Sequence, residues 1–310
     1  MVDVVVPADF VRSFQIEGMN VRGRIVHLTD AADRVIAAHG YPDPVSRLVG
    51  EALTLAALLG ASLKFEGTLT VQTRGDGPVK MIVADFTSPG TIRACATFDA
   101  DGVAALGSMP SFAALVGRGS IAITIDPEGD MERYQGIVPL EGEGLADGAM
   151  TYFEQSEQIP TAIRLSVATL ATRGASGREQ HWRAGGMLIQ NLASLGGIQP
   201  VRREGAGEAD HSDDWPRATA LFSTIEAHEL VDPQVEAERL LYRLFHEDGV
   251  RVFDVVPLTF ACRCSAERVM GVLRQYPAEE LQGLAEGDGL IRATCEFCST
   301  VYAFAPDSVG

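Results

Sequence analysis

Apolar and polar positions alternate along Val21–Leu28 (VRGRIVHL), the two-residue period of a half-buried strand. Thr29 and Asp30 open a predicted helix over 31–39, which Gly40-Tyr41-Pro42 stops. The stretch 44–63 has another pattern. Leu48, Leu53, Leu55, Leu58, Leu59 and Leu63 fall on more than one side of a helix. A helix apolar nearly all round is normally buried, so this is the expected central helix of a core.

Alternation returns over 67–73, breaks at Gly75-Asp76-Gly77-Pro78 and resumes over 79–85. Glycines able to take positive φ suit a tight turn there, which predicts a hairpin. Further strands are expected over Thr91–Phe98, 121–126 and 135–139, the last two joined through Pro127-Glu128-Gly129. Residues 145–155 read as helix and 161–169 as strand. Strands and helices do not alternate strictly. The fold class is therefore α+β, with a mixed-sheet N-terminal core around one long buried helix.

Between Gly196 and Asp214 apolar residues nearly vanish, and Gly, Pro, Arg, Glu and Asp predict a loop or linker. Ala220, Leu221, Ile225 and Leu230 then fit one helical stripe. Pro233, suited to a first helical turn, opens a second with Val235, Leu240, Leu241, Leu244 and Phe245. Their polar faces are acidic, and their apolar stripes need a cover. Near the C-terminus Ser265 is placed to cap a helix over 266–276, and Pro277 starts a short one.

An apolar fraction of 46% and a charged fraction of 22% are ordinary for a globular protein. The formal charge of −17 is more selective. It disfavours nucleic acid and anionic membrane as partners and leaves open basic or unfolded ones. The first ten residues carry Asp3 and Asp9 and show no basic segment ahead of an apolar run, so no secretory signal is expected. No run approaches the ~18 apolar residues of a membrane span. The expected location is cytoplasmic, where paired cysteines are more often metal ligands or redox groups than structural disulfides.

Four of the five cysteines cluster late, as Cys262-Arg263-Cys264 and Cys295-Glu296-Phe297-Cys298, about thirty residues apart. Four thiolates at this spacing suit a closed tetrahedral zinc site, with one Zn2+ per chain. The same pairs are also able to close as short disulfides, so scaffold and switch both remain open. Zinc keeps thiolates deprotonated, and thiolate is the form that oxidants attack. Arg263, Arg268 and Arg292 are placed to offset the formal charge of such a site. Cys95, alone in a predicted strand, reads as a buried sheet residue. The histidines are dispersed, and none lies near the cysteine pairs in sequence. No nucleophile elbow, Walker loop or dinucleotide fingerprint is present, so neither an enzyme active site nor an ATP site is expected.

With these motifs in hand, the chain resembles the redox-regulated Hsp33 chaperones, the 33 kDa chaperonin family. The resemblance is carried by Val21-Arg22-Gly23, Leu63-Lys64-Phe65-Glu66-Gly67, Gly75-Asp76-Gly77-Pro78 and Glu132-Arg133-Tyr134-Gln135-Gly136. It continues through Tyr152-Phe153, Ser156-Glu157-Gln158-Ile159-Pro160, Ala184-Gly185-Gly186-Met187-Leu188-Ile189-Gln190 and Leu244-Phe245-His246-Glu247. The two cysteine motifs are its most specific part. Thr172 to Arg183 and Pro200 to Asp213 look longer and more polar than the family pattern.

The resemblance implies a three-part layout, with a core over 1–195, a helical linker region over 196–256 and a small C-terminal zinc domain over 257–310. It implies an ATP-independent holdase, inactive while the four cysteines bind zinc. It implies that oxidation forms the disulfides Cys262–Cys264 and Cys295–Cys298, with loss of zinc and of structure in the linker region. Unfolded client proteins are then bound to prevent aggregation under oxidative stress, by a form that is dimeric in the family. Two other classes stay in play. A thiol–disulfide oxidoreductase would use the Cys-x-x-Cys catalytically, although it does not open a helix after a strand. A static zinc module would use the metal only for shape.

Overall fold

The computed structural model describes residues 6–64, 66–174, 177–192 and 213–309. The chain starts with β1 (Phe10–Ile16) and β2 (Val21–Leu28), an antiparallel pair that sets Phe10 opposite His27 and Ile16 opposite Val21. Two helices follow, α1 (Asp30–Ala37) and α2 (Asp43–Gly60). Pro44 sits in the first turn of α2, where a missing N–H has no partner to lose. Val45, Val49, Leu53, Leu55 and Leu58 are all fully buried, as expected of a helix apolar all round.

The predicted hairpin is β3 (Gly67–Gly75) and β4 (Val79–Thr87), and β5 (Thr91–Phe98) extends it. After the short helices α3 (Ala100–Ala105) and α4 (Phe112–Val116) come β6 (Gly119–Pro127) and β7 (Tyr134–Pro139) on the other side of β3. The helix α5 (Leu145–Tyr152) ends in a wide turn over Phe153–Glu157, closed by Gln158 at φ 55°. A long hairpin of β8 (Thr161–Gly174) and β9 (Gly177–Asn191) then joins β2. The α2 helix touches strands of both sheets. Its last residue has to be small, since a Cβ on Gly60 would lie 2.2 Å from the Phe86 ring of β4.

The segment expected as the linker region packs, from residue 214 on, against the first sheet. It comprises α6 (Asp214–Ser223), a 3-10 turn over Ala227–Leu230, α7 (Ala237–Phe245) and β10 (Val250–Pro257). The strand β10 pairs with β1, giving the order β10-β1-β2-β9-β8. The apolar stripes of the helices find their cover here. Phe222, Leu240, Leu241 and Phe245 bury against Phe14, Ile16, Ile25 and Met187 of the sheet. The rings of Phe14 and Phe245 stack at 5.9 Å. The approach is close enough to demand glycine: a Cβ on Gly185 would fall 1.9 Å from the Leu230 carbonyl oxygen.

The chain then crosses to the second sheet. The short β11 (Thr259–Phe260) pairs in parallel with β5, giving the order β11-β5-β4-β3-β6-β7. That one parallel pair makes the sheet mixed. The C-terminal module holds α8 (Ala266–Leu273), α9 (Ala278–Gly283) and the hairpin of β12 (Ile291–Thr294) and β13 (Val301–Phe304). Its buried set is Leu273, Leu281, Ile291, Phe304 and Val309.

The α+β class, the buried helix and the C-terminal cysteine cluster are all found. Some elements differ from expectation. Pro233 does not open a helix: α7 starts at Ala237, and Val235 instead donates to the Asp232 carbonyl in a turn. The stripe from Ala220 to Leu230 is broken, because α6 stops at Ser223 and the 3-10 turn follows. The helix over 266–276 stops at Leu273. The polar run from Thr172 to Arg183 belongs to the β8–β9 hairpin, with Thr172 opposite Glu179. The polar loop over 196–214 and the boundary at 195/196 lie almost wholly outside the described residues, as does the start of the N-terminus. Among the described residues no helix is long and apolar enough to cross a membrane.

Candidate metal centre

Two local structures bring the cysteines together. The first is the crossing strand. Leu258 is buried in the main core, β11 pairs with β5, and Ala261 N–H donates to the Ile92 carbonyl at 3.3 Å. Cys262 and Cys264 are thereby held beside β5. The second is the turn between β12 and β13. Ser299 N–H donates to the Cys295 carbonyl at 2.8 Å, and Cys295 N–H to the Thr300 carbonyl at 2.9 Å. Ser299 takes φ 56°, which curls Cys295 and Cys298 toward one side. Ser265 accepts from Arg268 N–H and caps α8 just after Cys264, as its sequence position implied.

The four sulfurs all lie within 4.8 Å of one another, and none is disulfide-bonded. Cys262 and Cys295 Sγ are 3.6 Å apart, Cys264 and Cys298 Sγ 3.4 Å. A tetrahedral site with metal–sulfur bonds of about 2.3 Å has sulfur–sulfur edges of about 3.8 Å. The donor set and its spacing therefore fit a metal ion of the zinc class. Both of these close separations run between the two motifs.

The sulfurs also have polar neighbours. The Tyr302 hydroxyl donates to Cys264 Sγ at 3.1 Å. Thr300 Oγ1 stands 3.2 Å from Cys298 Sγ. Burial pushes the Cys298 thiol up, but the Thr300 hydroxyl and N–H and the adjacent thiols outweigh it and bring it down to about 6. Burial raises Cys295 to about 12. The cluster thus favours negative charge on one sulfur and resists it on another, and a cation held among them would favour it on all.

Of the arginines singled out in the sequence, none donates to a cysteine sulfur among the described residues. Arg263 reaches Asp85 on β4 at 3.1 Å and Thr68 at 3.3 Å. Arg268 donates to the Arg263 carbonyl at 2.6 Å. Arg292 pairs with Glu286 and Asp288 at the surface. Cys95 is buried in β5, outside the group of four, and burial pushes its thiol up to about 12.

The sequence reading missed the residues that seat the cysteine turn on the core. The Arg93 guanidinium of β5 lies 3.8 Å from the centre of the Phe297 ring. Arg93 is itself fixed by Asp85, at 2.6 Å through Nη2. Asp85 is buried, and it also takes Arg263 and the Thr70 hydroxyl. His39 donates from Nε2 to the Glu296 carbonyl at 2.8 Å, and its ring stacks on Tyr41 at 4.7 Å. The two residues inside the Cys-x-x-Cys are thus the ones that grip the core. Nothing in the spacing of His39 and Glu296, 257 positions apart, signals the contact.

The family model described as Hsp33 protein matches residues 9–305. The chain belongs to the Hsp33 family. A curated 33 kDa chaperonin of Caulobacter vibrioides is 46% identical over 301 residues, covering 96% of this chain and 95% of that protein. One from Shewanella loihica is 36% identical over 296 residues, covering 96% and 92%. Among solved structures, the 33 kDa chaperonin of Thermotoga maritima, a heat shock protein 33 homolog, aligns with a TM-score of 0.74. It covers 97% of this chain and 96% of that one at 21% identity, and so attests the fold. Within the Hsp33 fold, Gly185 of the Ala184–Gln190 motif makes room for the linker turn, and Phe245 of the Leu244–Glu247 motif fills the cluster beneath it.

Proposed function

We propose that the chain is an ATP-independent holdase chaperone switched by oxidation. In the reduced state Cys262, Cys264, Cys295 and Cys298 bind one zinc ion and the protein is inactive. The carrying observation is that four free sulfurs gather within 4.8 Å in a module with so small a buried set. Zinc, when bound, would keep those sulfurs as thiolates and supply most of the folding energy of the module. We divide the chain into a core over 1–195, a linker region over 196–256 and a redox module over 257–310.

Oxidation removes the ligands. A peroxide-class oxidant takes two electrons from each pair of thiolates, an S–S bond forms, and the O–O bond breaks. Two protons are taken up and two waters result. The pairing that the family implies is Cys262–Cys264 and Cys295–Cys298. Cys262 with Cys295 and Cys264 with Cys298 are also close, at 3.6 and 3.4 Å. Bonds within each motif sever the tie between the halves of the module, whereas bonds across would keep it. The small core then loses its support, and the turn carrying Glu296 and Phe297 lets go of β5. The strands β11 and β10 continue directly into the linker helices, whose apolar stripe is uncovered to bind unfolded clients. The active form is a homodimer in the cytoplasm. A charge of −17 supports the absence of nucleic-acid and membrane partners.

Light scattering of a heat-denatured client enzyme without ATP tests this. Peroxide-treated protein is expected to suppress aggregation in step with zinc release, the reduced protein is not, and Cys298→Ser serves as control. Failure of the oxidised, zinc-free protein at every stoichiometry would sink the holdase. Zinc retained after hypochlorite would favour a static module, and insulin reduction with turnover an oxidoreductase.

A further inference from the structure

A cavity of about 470 Å3 opens beside the N-terminal half of α2, within the size range of small-ligand sites. Leu48, Phe112 and Leu115 form apolar walls. Met109, 93% exposed, stands at its edge and faces solvent. Its polar lining is lopsided. Asp43, Glu51 and Glu143 bring three carboxyls against one cation, Arg47. Arg47 is already engaged, donating to the Val167 carbonyl at 2.7 Å and lying 6.0 Å from the Trp182 ring centre.

Glu51 is the telling residue. It lies halfway along α2, among neighbours that are nearly all buried. Among the described residues its carboxyl has neither a hydrogen bond nor an ion pair. Burial raises it to about 7, against the pull of Arg47 and with a further push from Asp147. A part-buried carboxyl beside apolar walls and without a hydrogen-bond partner costs stability, which the pull of Arg47 offsets only in part. A cation brought in from outside would. The lining suits a basic group on an apolar stem, and the uncovered Met109 suits an apolar neighbour of that group.

We propose that this cavity binds a lysine or arginine side chain carried on an extended peptide, next to an apolar residue. The binding itself is independent of the redox chemistry; that the peptide is part of a chaperone client rests on the function proposed above. It would make basic-apolar segments a preferred client class for this acidic protein.

The test is calorimetry on the full reduced chain with three probes. These are acetyl-Gly-Leu-Arg-Leu-Gly-amide, the same peptide with neutral citrulline for arginine, and butylguanidinium. The arginine peptide is expected to bind the wild-type protein, with the citrulline peptide and the Glu51→Gln variant each about tenfold weaker, the loss of one charge-assisted contact. Met109→Ser is expected to weaken the peptide and leave butylguanidinium unchanged. Equal binding of the two peptides to the wild-type protein overturns the proposal without recourse to any variant. Butylguanidinium as tight as the peptide overturns the peptide as occupant. Aggregation suppression by the oxidised protein is measured in parallel. Suppression without peptide binding refutes the site alone, and peptide binding without suppression refutes the holdase and leaves the site standing.

Discussion

The linker region and the C-terminal module are neighbours in the chain and are held by opposite means. The linker helices have no core of their own. They fold against β1, β2 and β9, where Phe222, Leu240, Leu241 and Phe245 share one buried cluster with the sheet. The module has its own buried set, but only Leu273, Leu281, Ile291, Phe304 and Val309. Its remaining support is the cysteine cluster, the pairing of β11 with β5, the contacts of Arg263 with Asp85 and Thr68, and those of Glu296 and Phe297 with His39 and Arg93. Hydrophobic burial is distributed and fails gradually, whereas a ligand set fails when one thiolate is lost. Under the proposed function, a sensor and the surface that it guards would gain from being built in these two ways.

The sharpest break of this comparison is metal removal. Chelation of the reduced protein, or Cys264→Ser, is expected to unfold the module, since structural zinc contributes about 10–16 kcal/mol in comparable small units. Hydrogen exchange would show loss of protection over 262–309 while β2, β3 and α2 stay protected. A module that remains protected without metal would mean that its five buried residues suffice.

The second strike is at the linker. Phe245→Ala is expected to cost about 3–5 kcal/mol of docking, because it opens a cavity under a fully buried ring. Dye binding to apolar surface and exchange over 214–257 would rise in the reduced, metal-loaded protein, with the module intact. If the module melted as well, the two regions would be one cooperative unit.

A third and smaller effect is pH. His27 faces Phe10, Arg183, Asp30 and the linker residues Leu230, Asp232 and Glu238, and burial brings it down to about 4. Its Nε2 is buried without a partner. The docked state therefore favours the neutral ring, while a released linker lets His27 take up a proton below its ordinary value of about 6.5. Docking is fully supported above that value and weakens as pH falls toward 4, by about 2 kcal/mol at pH 5. Linker exchange measured between pH 7 and 5 should show this slope, and His27→Phe should flatten it.

The smallest effect concerns the contact between the regions. A double-mutant cycle of Arg93→Ala and Phe297→Ala is expected to give a coupling of about 1–2 kcal/mol, read from the chelator concentration that releases the module. Zero coupling would mean that the turn rests on β5 without being held by it.

Some of this was legible from the chain. The short spacings of Cys262 with Cys264 and of Cys295 with Cys298 are local, so four sulfurs in one place could be read directly. The all-round apolar pattern of α2 announced a buried helix. The strand β10 was less visible, because it is an edge strand whose Val252 and Phe253 are exposed, which blurs the alternation. The strand β9 was hidden by Gly185 and Gly186, poor strand formers needed there for the close approach of Leu230 at the first and of Leu165 and Thr54 at the second. The periodicity of the linker helices suggests two long stripes, but Asp232 and the capping pair of Glu226 and Glu229 cut them into shorter pieces.

The opposite fate of the two regions has the same root. By itself the sequence determined what depends on near neighbours: helix and strand periods, the cap at Ser265, the cysteine spacings and the family. Only the tertiary structure decided that Cys262 meets Cys295 and Cys264 meets Cys298, that Asp85 joins Arg93 to Arg263, that His39 holds Glu296, and that Glu51 faces a cavity unpaired. These are pairings across long loops, selected by the burial of the whole chain and not by any local preference, and so no window of sequence contains them.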